Sequence, residues 1–111
     1  RGRSDDMMVL RGVNIFPIQI EKILMTFPEL ANNYLITLTT DADNDNMTVE
    51  VELEELFTDD FRRLQGLANR IQRALTDEIL LTPHVKLLPK GTLPVSEGKA
   101  VRVVDKRTVY Q

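Results

Sequence analysis

The run MTVEVEL at residues 47–53 alternates strictly between apolar and polar side chains. Successive side chains of an extended chain point to opposite faces, so the apolar set shares one face: Met47, Val49, Val51 and Leu53. The polar set points outward: Thr48, Glu50 and Glu52. This pattern is typical of a strand with one buried face, and it requires a second layer of structure on its apolar side.

A second strand is predicted at 34–40, YLITLTT, because β-branched and aromatic residues dominate it. The polar run DADNDN at 41–46 is typical of a hairpin loop between the two strands. Some of its acids also match the ligand spacing of a calcium-binding EF-hand loop: Asp41, Asp43, Asp45 and, further on, Glu52. Asn46 stands where that loop has glycine, and strands rather than helices flank it, so we interpret the run as a hairpin turn.

Two apolar stripes predict helices that cover the buried face of this sheet. The first helix spans 17–27, with Pro17 in its first turn and Pro28 at its end. Its stripe consists of Ile20, Ile23, Leu24 and Phe27. The second helix begins at Thr58, which is followed by two acids near the positive end of the helix dipole. Its stripe consists of Phe61, Leu64, Ala68, Ile71, Leu75 and Ile79.

Apolar runs within 7–16 flank Arg11 and Gly12 and predict an N-terminal β-hairpin with glycine at the turn. HVKLL at 84–88 predicts a further strand, and VRVVDKR at 101–107 fits either a short strand or a helical turn. The order of elements predicts an α+β fold, a small mixed or antiparallel sheet with two helices packed on one face, near the split βαβ pattern.

Composition excludes several classes of function. The 111 residues fit one domain, 1–111, and the net charge of −3 argues against general nucleic-acid binding. Without cysteine there is no disulfide, zinc–thiolate site or thiol nucleophile. No apolar run is long enough to cross a bilayer and no signal segment is visible, so we predict a cytoplasmic protein without a membrane partner. Because the sequence opens on RGRSDDMM without a start methionine, we expect it to be part of a longer polypeptide.

His84 is the single histidine, and with neither cysteine nor a second histidine beside it we expect no metal site there. A polar residue at the edge of a strand is the simpler interpretation. Two longer segments carry more information: GRSDDMMVLRGVNIFPIQIE at 2–21 and LPVSEGKAVRVVDKR at 93–107.

Together these segments resemble two signature motifs of the adenylate-forming enzymes, the superfamily of acyl-CoA synthetases, luciferases and peptide-synthetase adenylation domains. The first motif is matched by Gly2, Arg3, Asp5, Asp6, Gly12, Ile20 and Glu21. The second is matched by Ser96, Gly98 and Lys99. The residues of the two segments are most similar to those of the phenylacetate–CoA ligase branch. The resemblance covers essentially the whole chain, which corresponds to the C-terminal domain of that family. Val95 departs from the pattern, since many relatives carry arginine there.

The resemblance implies a two-step ligase reaction. An aryl carboxylate such as phenylacetate reacts with ATP to give an acyl-adenylate and pyrophosphate, and coenzyme A then displaces AMP to give the thioester. ATP with Mg²⁺ and the acyl group would be bound mainly by a large N-terminal domain, which is therefore the expected partner. We expect the present chain alone to be inactive.

In this resemblance Lys99 is the catalytic lysine of adenylation and also contacts the nucleotide. Its long stem and compact charge suit it to stand between a carboxylate and the α-phosphate, two anions that repel each other. Ser96 and Gly98 support the catalytic loop, which together with the C-terminal tail spans 89–107. Gly98 lets the backbone approach the substrate closely.

The resemblance also assigns roles at the N-terminal end. Asp5 is the hinge residue within 1–6, a position that must absorb a large backbone rotation when the domain reorients as a lid. Arg3 binds the nucleotide. Gly12 at the hairpin turn faces the CoA channel, and Arg11 beside it is a weaker candidate for the same channel.

One alternative is open at this stage. A free-standing ACT-like regulatory module, which binds a small ligand, would have a similar order of helices and strands and no use for Lys99. The sequence also leaves the acyl substrate and the oligomeric state open, a homodimer included.

Overall fold

The computed structural model describes residues 7–54, 60–93 and 102–107. Within these ranges the elements are, in chain order, β1 (Met8–Leu10), β2 (Val13–Ile15), α1 (Pro17–Leu24), β3 (Leu30–Asp41), β4 (Asn44–Leu53), α2 (Phe61–Ile79), β5 (His84–Leu88) and β6 (Val103–Asp105). In the part of the chain so described, neither helix combines the length and the apolar character that crossing a membrane requires.

The main sheet has the strand order β5-β4-β3-β6. β3 and β4 form an antiparallel hairpin, whereas β6 runs parallel to β3 and β5 runs parallel to β4. The connection from β4 through α2 to β5 is thus a helical crossover between parallel strands. β1 and β2 form a separate two-stranded antiparallel ribbon, which confirms the predicted N-terminal hairpin. The predicted α+β class with a mixed sheet is confirmed.

Both helices pack on one face of the main sheet and share a core with it. The inward positions predicted for β4 are all buried, and Ile36 and Leu38 of β3 lie beside them. The β1–β2 ribbon adds Leu10 and Ile15, which are fully buried. At the far edge Val103 of β6 pairs with Ile36 and packs against the same core, so the short strand, and not a helical turn, is the conformation of this tail.

The α-helical hydrogen bonding of α1 ends at Leu24, three residues before the predicted end. Beyond it the backbone N–H groups of Thr26 and Phe27 donate to the carbonyls of Ile23 and Leu24, at 3.1 Å each. These bonds span three residues rather than four, so the chain tightens into turns before Pro28. Phe27 still packs against the core as its periodicity predicts.

The buried stripe of α2 differs in part from the prediction. Leu67 lies outside the predicted stripe but is fully buried, whereas Phe61 belongs to that stripe and is 75% exposed. Phe61 is the first residue of the helix, where the adjacent layer no longer covers it. The N-cap is Asp60, whose carboxylate accepts the N–H of Arg62 at 2.9 Å. Thr58, the predicted start, lies outside the described residues.

Candidate functional site

Five of the seven predicted site residues lie outside the described residues: Arg3, Asp5, Ser96, Gly98 and Lys99. The structure does describe Arg11 and Gly12, and it describes the chain on both sides of 94–101. The described part of the site therefore consists of the hairpin turn and of the residues that bind the two ends of that segment.

Arg11 and Gly12 form the tip of the β1–β2 ribbon, with φ of 50° and 79°. Positive φ at both central residues is the two-residue hairpin geometry in which glycine is favoured at the second position. A Cβ atom added at Gly12 would meet no other group within 4 Å, so the backbone here faces open space.

The Arg11 side chain is turned toward the other hairpin. Its Nε donates to the carbonyl of Asp45 at 2.9 Å, and its Nη2 donates to Oδ1 of Asn46 at 3.0 Å. Beneath this corner lies a cavity of about 40 Å³ that His84 helps to line. That volume has room for water but not for a metabolite. His84 itself is exposed and begins the edge strand β5, in agreement with the prediction of a strand-edge residue.

Arg107 joins the ribbon, β4 and β6 at one point. Its Nη1 donates to the carbonyl of Val9 at 2.7 Å and to Oδ2 of Asp45 at 2.9 Å, and its Nη2 donates to Oδ2 of Asp105 at 2.8 Å. These hydrogen bonds, that to Asp105 above all, raise the pKa of Arg107, and the same bond lowers the pKa of Asp105. The guanidinium of Arg107 is thus bound by internal contacts and is not free in solvent.

Glu52 of β4 belongs to the strand's predicted outward set, yet it is not in contact with solvent: its exposure is 3%. The chain at 91–93 covers it. Its Oε1 accepts the N–H of Gly91 at 3.0 Å, and its Oε2 accepts the N–H of Leu93 at 2.6 Å and Nδ2 of Asn33 at 3.0 Å. Burial by itself would raise the pKa of Glu52, but these donors outweigh it and hold the pKa below its ordinary value.

Arg102, at the other end of 94–101, lies on the ring of Tyr34, with Cζ 4.6 Å from the ring centroid. Its Nη1 donates to Oδ1 of Asn33 at 3.2 Å and to the carbonyl of Tyr34 at 3.4 Å. Its own carbonyl accepts the N–H of Ile36 at 2.7 Å. Arg102 is therefore fixed both by its side chain and by its backbone.

Tyr34 links this arrangement to helix α1. Its hydroxyl donates to Oε1 of Glu21 at 2.8 Å. Burial and the hydrogen bond to Glu21 raise the pKa of Tyr34, so the hydroxyl stays protonated as a donor. Glu21 is the last residue of the first sequence motif, and Arg102 lies three residues after Lys99, the last residue of the second. One tyrosine side chain therefore contacts both Glu21 and Arg102.

Sequence reasoning assigned no role beside the lysine segment to Asn33, Tyr34, Glu52 or Arg102. The alternation of β4 gives Glu50 and Glu52 the same outward position. Only the path of the chain at 91–93 distinguishes them, and no local pattern encodes that path. The pairing of Arg102 with an aromatic ring likewise depends on β6 lying beside β3.

The acids of the supposed calcium loop are dispersed. Ala42 and Asp43 form the turn, with φ of 52° and 70°, while Asp45 pairs with Arg107 and Glu52 lies near the far end of β4. Within the described ranges no three His, Asp or Glu side chains are close enough together to hold a metal ion.

Residues 12–107 match the family described as the AMP-binding enzyme C-terminal domain. The chain is also similar to a solved domain of phenylacetate-coenzyme A ligase from Bacteroides vulgatus. The two share 60% identity over 98% of this chain and 100% of that domain, with a TM-score of 0.88. Neither finding favours the ACT-like alternative.

Two further relatives extend the comparison. Phenylacetate-coenzyme A ligase of Thermus thermophilus is 37% identical over 96% of this chain and 27% of its own length. A crystal structure of 2-hydroxyisobutyryl-CoA ligase, in complex with 2-HIB-AMP and CoA in the thioesterification state, is 25% identical. It matches 96% of this chain and 22% of its own with a TM-score of 0.83. The chain spans about a quarter of the length of the curated relatives it matches.

Proposed function

The chain belongs to the AMP-binding enzyme C-terminal domain family, and on that premise we propose that it serves as the C-terminal domain of an ATP-dependent aryl-acid CoA ligase of the phenylacetate type. The observation that carries this proposal is the 60% identity to a domain of phenylacetate-coenzyme A ligase, which extends over the whole of that domain. Four curated proteins of the same name, 34% to 39% identical, support the same substrate class.

The proposed reaction has two steps. A carboxylate oxygen of the aryl acid attacks the α-phosphorus of ATP, the bond to the pyrophosphate oxygen breaks, and an acyl-adenylate forms. The sulfur of coenzyme A then attacks the acyl carbon and loses its proton, and AMP leaves as the thioester forms. The first step brings two anions together, so a cation placed between them lowers its barrier.

We assign that cation to Lys99, which the sequence places in 94–101 with Ser96 and Gly98 as supporting residues. The described residues support the assignment indirectly, because both flanks of 94–101 are fixed by hydrogen bonds to β3 or β4. A segment whose two ends are fixed would return its lysine to the same position in each catalytic cycle.

The hairpin turn is proposed to act in the second step. The open space in front of Gly12 suits a backbone that lines the channel of the CoA pantetheine arm. Arg11 is half of that turn, but its guanidinium already binds Asp45 and Asn46, so we assign it to holding the hairpin in place. Arg3 is proposed to bind the nucleotide and Asp5 to be the hinge.

The partner in this proposal is an N-terminal domain that binds the aryl acid and the phosphates of ATP. Mg²⁺, which the family resemblance implies together with ATP, is assigned to that domain. The acyl pocket is assigned to the same domain, so the choice among aryl acids is made there.

The test separates the two half-reactions in the full-length ligase. Lys99→Ala should abolish pyrophosphate release from ATP and phenylacetate, while thioester formation from supplied phenylacetyl-adenylate should largely survive. Lys106→Ala, a change of the same kind at an exposed lysine outside the segment, is the matched control and should leave both half-reactions near normal. Equal loss of both half-reactions in Lys99→Ala would refute the assigned role.

A further inference from the structure

The two ends of 94–101 meet at one side chain. Nδ2 of Asn33 lies 3.4 Å from the carbonyl oxygen of Leu93, the last described residue before the segment. Oδ1 of the same amide accepts Nη1 of Arg102, the first described residue after it, at 3.2 Å. One amide group therefore bridges the entrance and the exit of the segment.

Each end is also held by a second group. At the entrance the Glu52 carboxylate accepts the N–H of Leu93 at 2.6 Å and also binds Nδ2 of Asn33 at 3.0 Å. At the exit the ring of Tyr34 lies 4.6 Å from Cζ of Arg102. Charge-assisted hydrogen bonds are stronger than neutral ones, and here they hold the two ends firmly.

The contacts of the Asn33 side chain explain why an amide is needed at this position. The donor side of Asn33 faces a carboxylate and a carbonyl, while its acceptor side faces a guanidinium. Aspartate would place a second carboxylate against Glu52, and leucine of similar size would leave donors and acceptors unpaired. Asparagine alone among residues of this size satisfies both sides at once.

We infer that Asn33, acting with Glu52 and Arg102, is a positioning residue for the adenylation step. By fixing both ends of 94–101 it determines where the amine of Lys99 stands relative to the α-phosphate. This inference rests on the function proposed above. It adds three residues whose described contacts lie at the two ends of the lysine segment.

The consequence differs between the half-reactions. Loss of the bridge leaves the fold of the sheet in place but lets the segment occupy a wider range of positions. A displacement of the order of 1 Å costs about 100-fold in rate where a catalytic group must be aligned. Thioester formation does not use Lys99 in this scheme, so it should be insensitive to the same change.

The experiment uses the full-length ligase with Asn33→Ala, and Asn32→Ala as the matched control, since Asn32 is the exposed neighbour. For Asn33→Ala we expect kcat for pyrophosphate release to fall by about tenfold to a hundredfold with little change in KM for ATP. Thioester formation from supplied phenylacetyl-adenylate should stay within about twofold of the wild type. Hydrogen exchange of peptides covering 94–101 should accelerate in Asn33→Ala and not in Asn32→Ala.

Arg102→Lys gives an independent variant that retains the charge but lacks the planar guanidinium that lies on the Tyr34 ring and donates to Asn33. It should show the same selective loss of adenylation, to a smaller degree. Equal loss of both half-reactions in Asn33→Ala, accompanied by a lower Tm, would reduce Asn33 to a purely structural role and overturn the inference. Unchanged adenylation would overturn it as well.

Failure here is distinguishable from failure of the proposed function. If Lys99→Ala abolishes adenylation while Asn33→Ala does not affect it, the ligase assignment stands and the positioning role is wrong. If Lys99→Ala has no effect on adenylation, the assignment of the lysine fails first. In that case, faster hydrogen exchange at 94–101 in Asn33→Ala would show only that Asn33 has a structural role. The positioning role inferred for Asn33 would then be wrong as well.

Discussion

Asp45 and Glu52 lie near opposite ends of β4, and each carboxylate joins parts of the chain that are distant in sequence. Asp45 accepts Nη1 of Arg107 with one oxygen and Oγ1 of Thr40 with the other. Glu52 accepts two backbone N–H groups from 91–93 and the amide of Asn33. Loss of these partners would leave the ion-paired Asp45 or the buried, hydrogen-bonded Glu52 without compensation, which is costly for a carboxylate away from water. These two acids therefore determine where the C-terminal part of the chain lies on the sheet.

The ionisation of Glu52 makes this contribution depend on pH. Because its folded-state pKa lies below the ordinary value of 4.5, the ionised group adds stability above that pH. The contribution is lost as the pH falls through the folded-state pKa. Glu52→Gln turns an amide N–H₂ toward a backbone N–H that needs an acceptor, so we expect a loss of about 2 kcal/mol in the free energy of unfolding at pH 7. Denaturation should show this gap shrinking below pH 4.5.

Glu50→Gln is the matched control for this prediction, because Glu50 lies two residues earlier on the same face of the strand and is only half-buried. It should change the free energy of unfolding by no more than about 0.5 kcal/mol. A gap between wild type and Glu52→Gln that stayed constant from pH 7 to pH 3 would contradict the assignment of the effect to ionised Glu52.

At the scale of elements, periodicity was sufficient to predict most of the fold. Alternation in β4 and the stripe of α1 predicted the buried positions because both elements meet the core along their whole length. Phe61 lies on the predicted apolar face of α2 but is exposed, because periodicity shows which residues share a face and not where the opposing layer ends. Glu52 lies on the predicted polar face of β4 but is buried, because the connecting segment at 91–93 covers the outer face of the sheet there. The contact between Asn33 and Arg102 arises from β6 pairing beside β3, which local sequence does not specify.

Two glycines show how the same substitution depends on the element that contains it. A Cβ atom at Gly66 or at Gly12 would meet nothing within 4 Å. Gly66 lies in α2, where alanine is favoured over glycine, so Gly66→Ala should raise the free energy of unfolding by about 0.5–1 kcal/mol. At Gly12 φ is 79°, so Gly12→Ala should lower it by about 1–2 kcal/mol. Urea denaturation of the two variants tests this, and the same sign for both would contradict the role of backbone conformation.

At the scale of the whole molecule, the proposed function requires one domain to serve two half-reactions. Lys99 is assigned to the first and the turn at Gly12 to the second. These residues belong to separate segments of the chain, and internal contacts such as those of Arg107 join the ribbon rigidly to the sheet. In the proposed function the domain presents each of these two segments in an orientation of its own. The proposed hinge at Asp5 supplies the rotation between the two orientations.

Asp5→Pro tests that rotation directly. Proline fixes φ near −65°, so it should hold the junction close to one orientation, whereas Asp5→Ala leaves φ free and is the matched control. In the full-length ligase we expect Asp5→Pro to slow one half-reaction by at least about tenfold while the other stays near normal. Pyrophosphate release reports the first step and consumption of supplied phenylacetyl-adenylate by coenzyme A reports the second. Normal rates in both steps would exclude a hinge at this residue. An equal fall in both would indicate a damaged domain, since a domain held in one orientation must still perform the step that uses it.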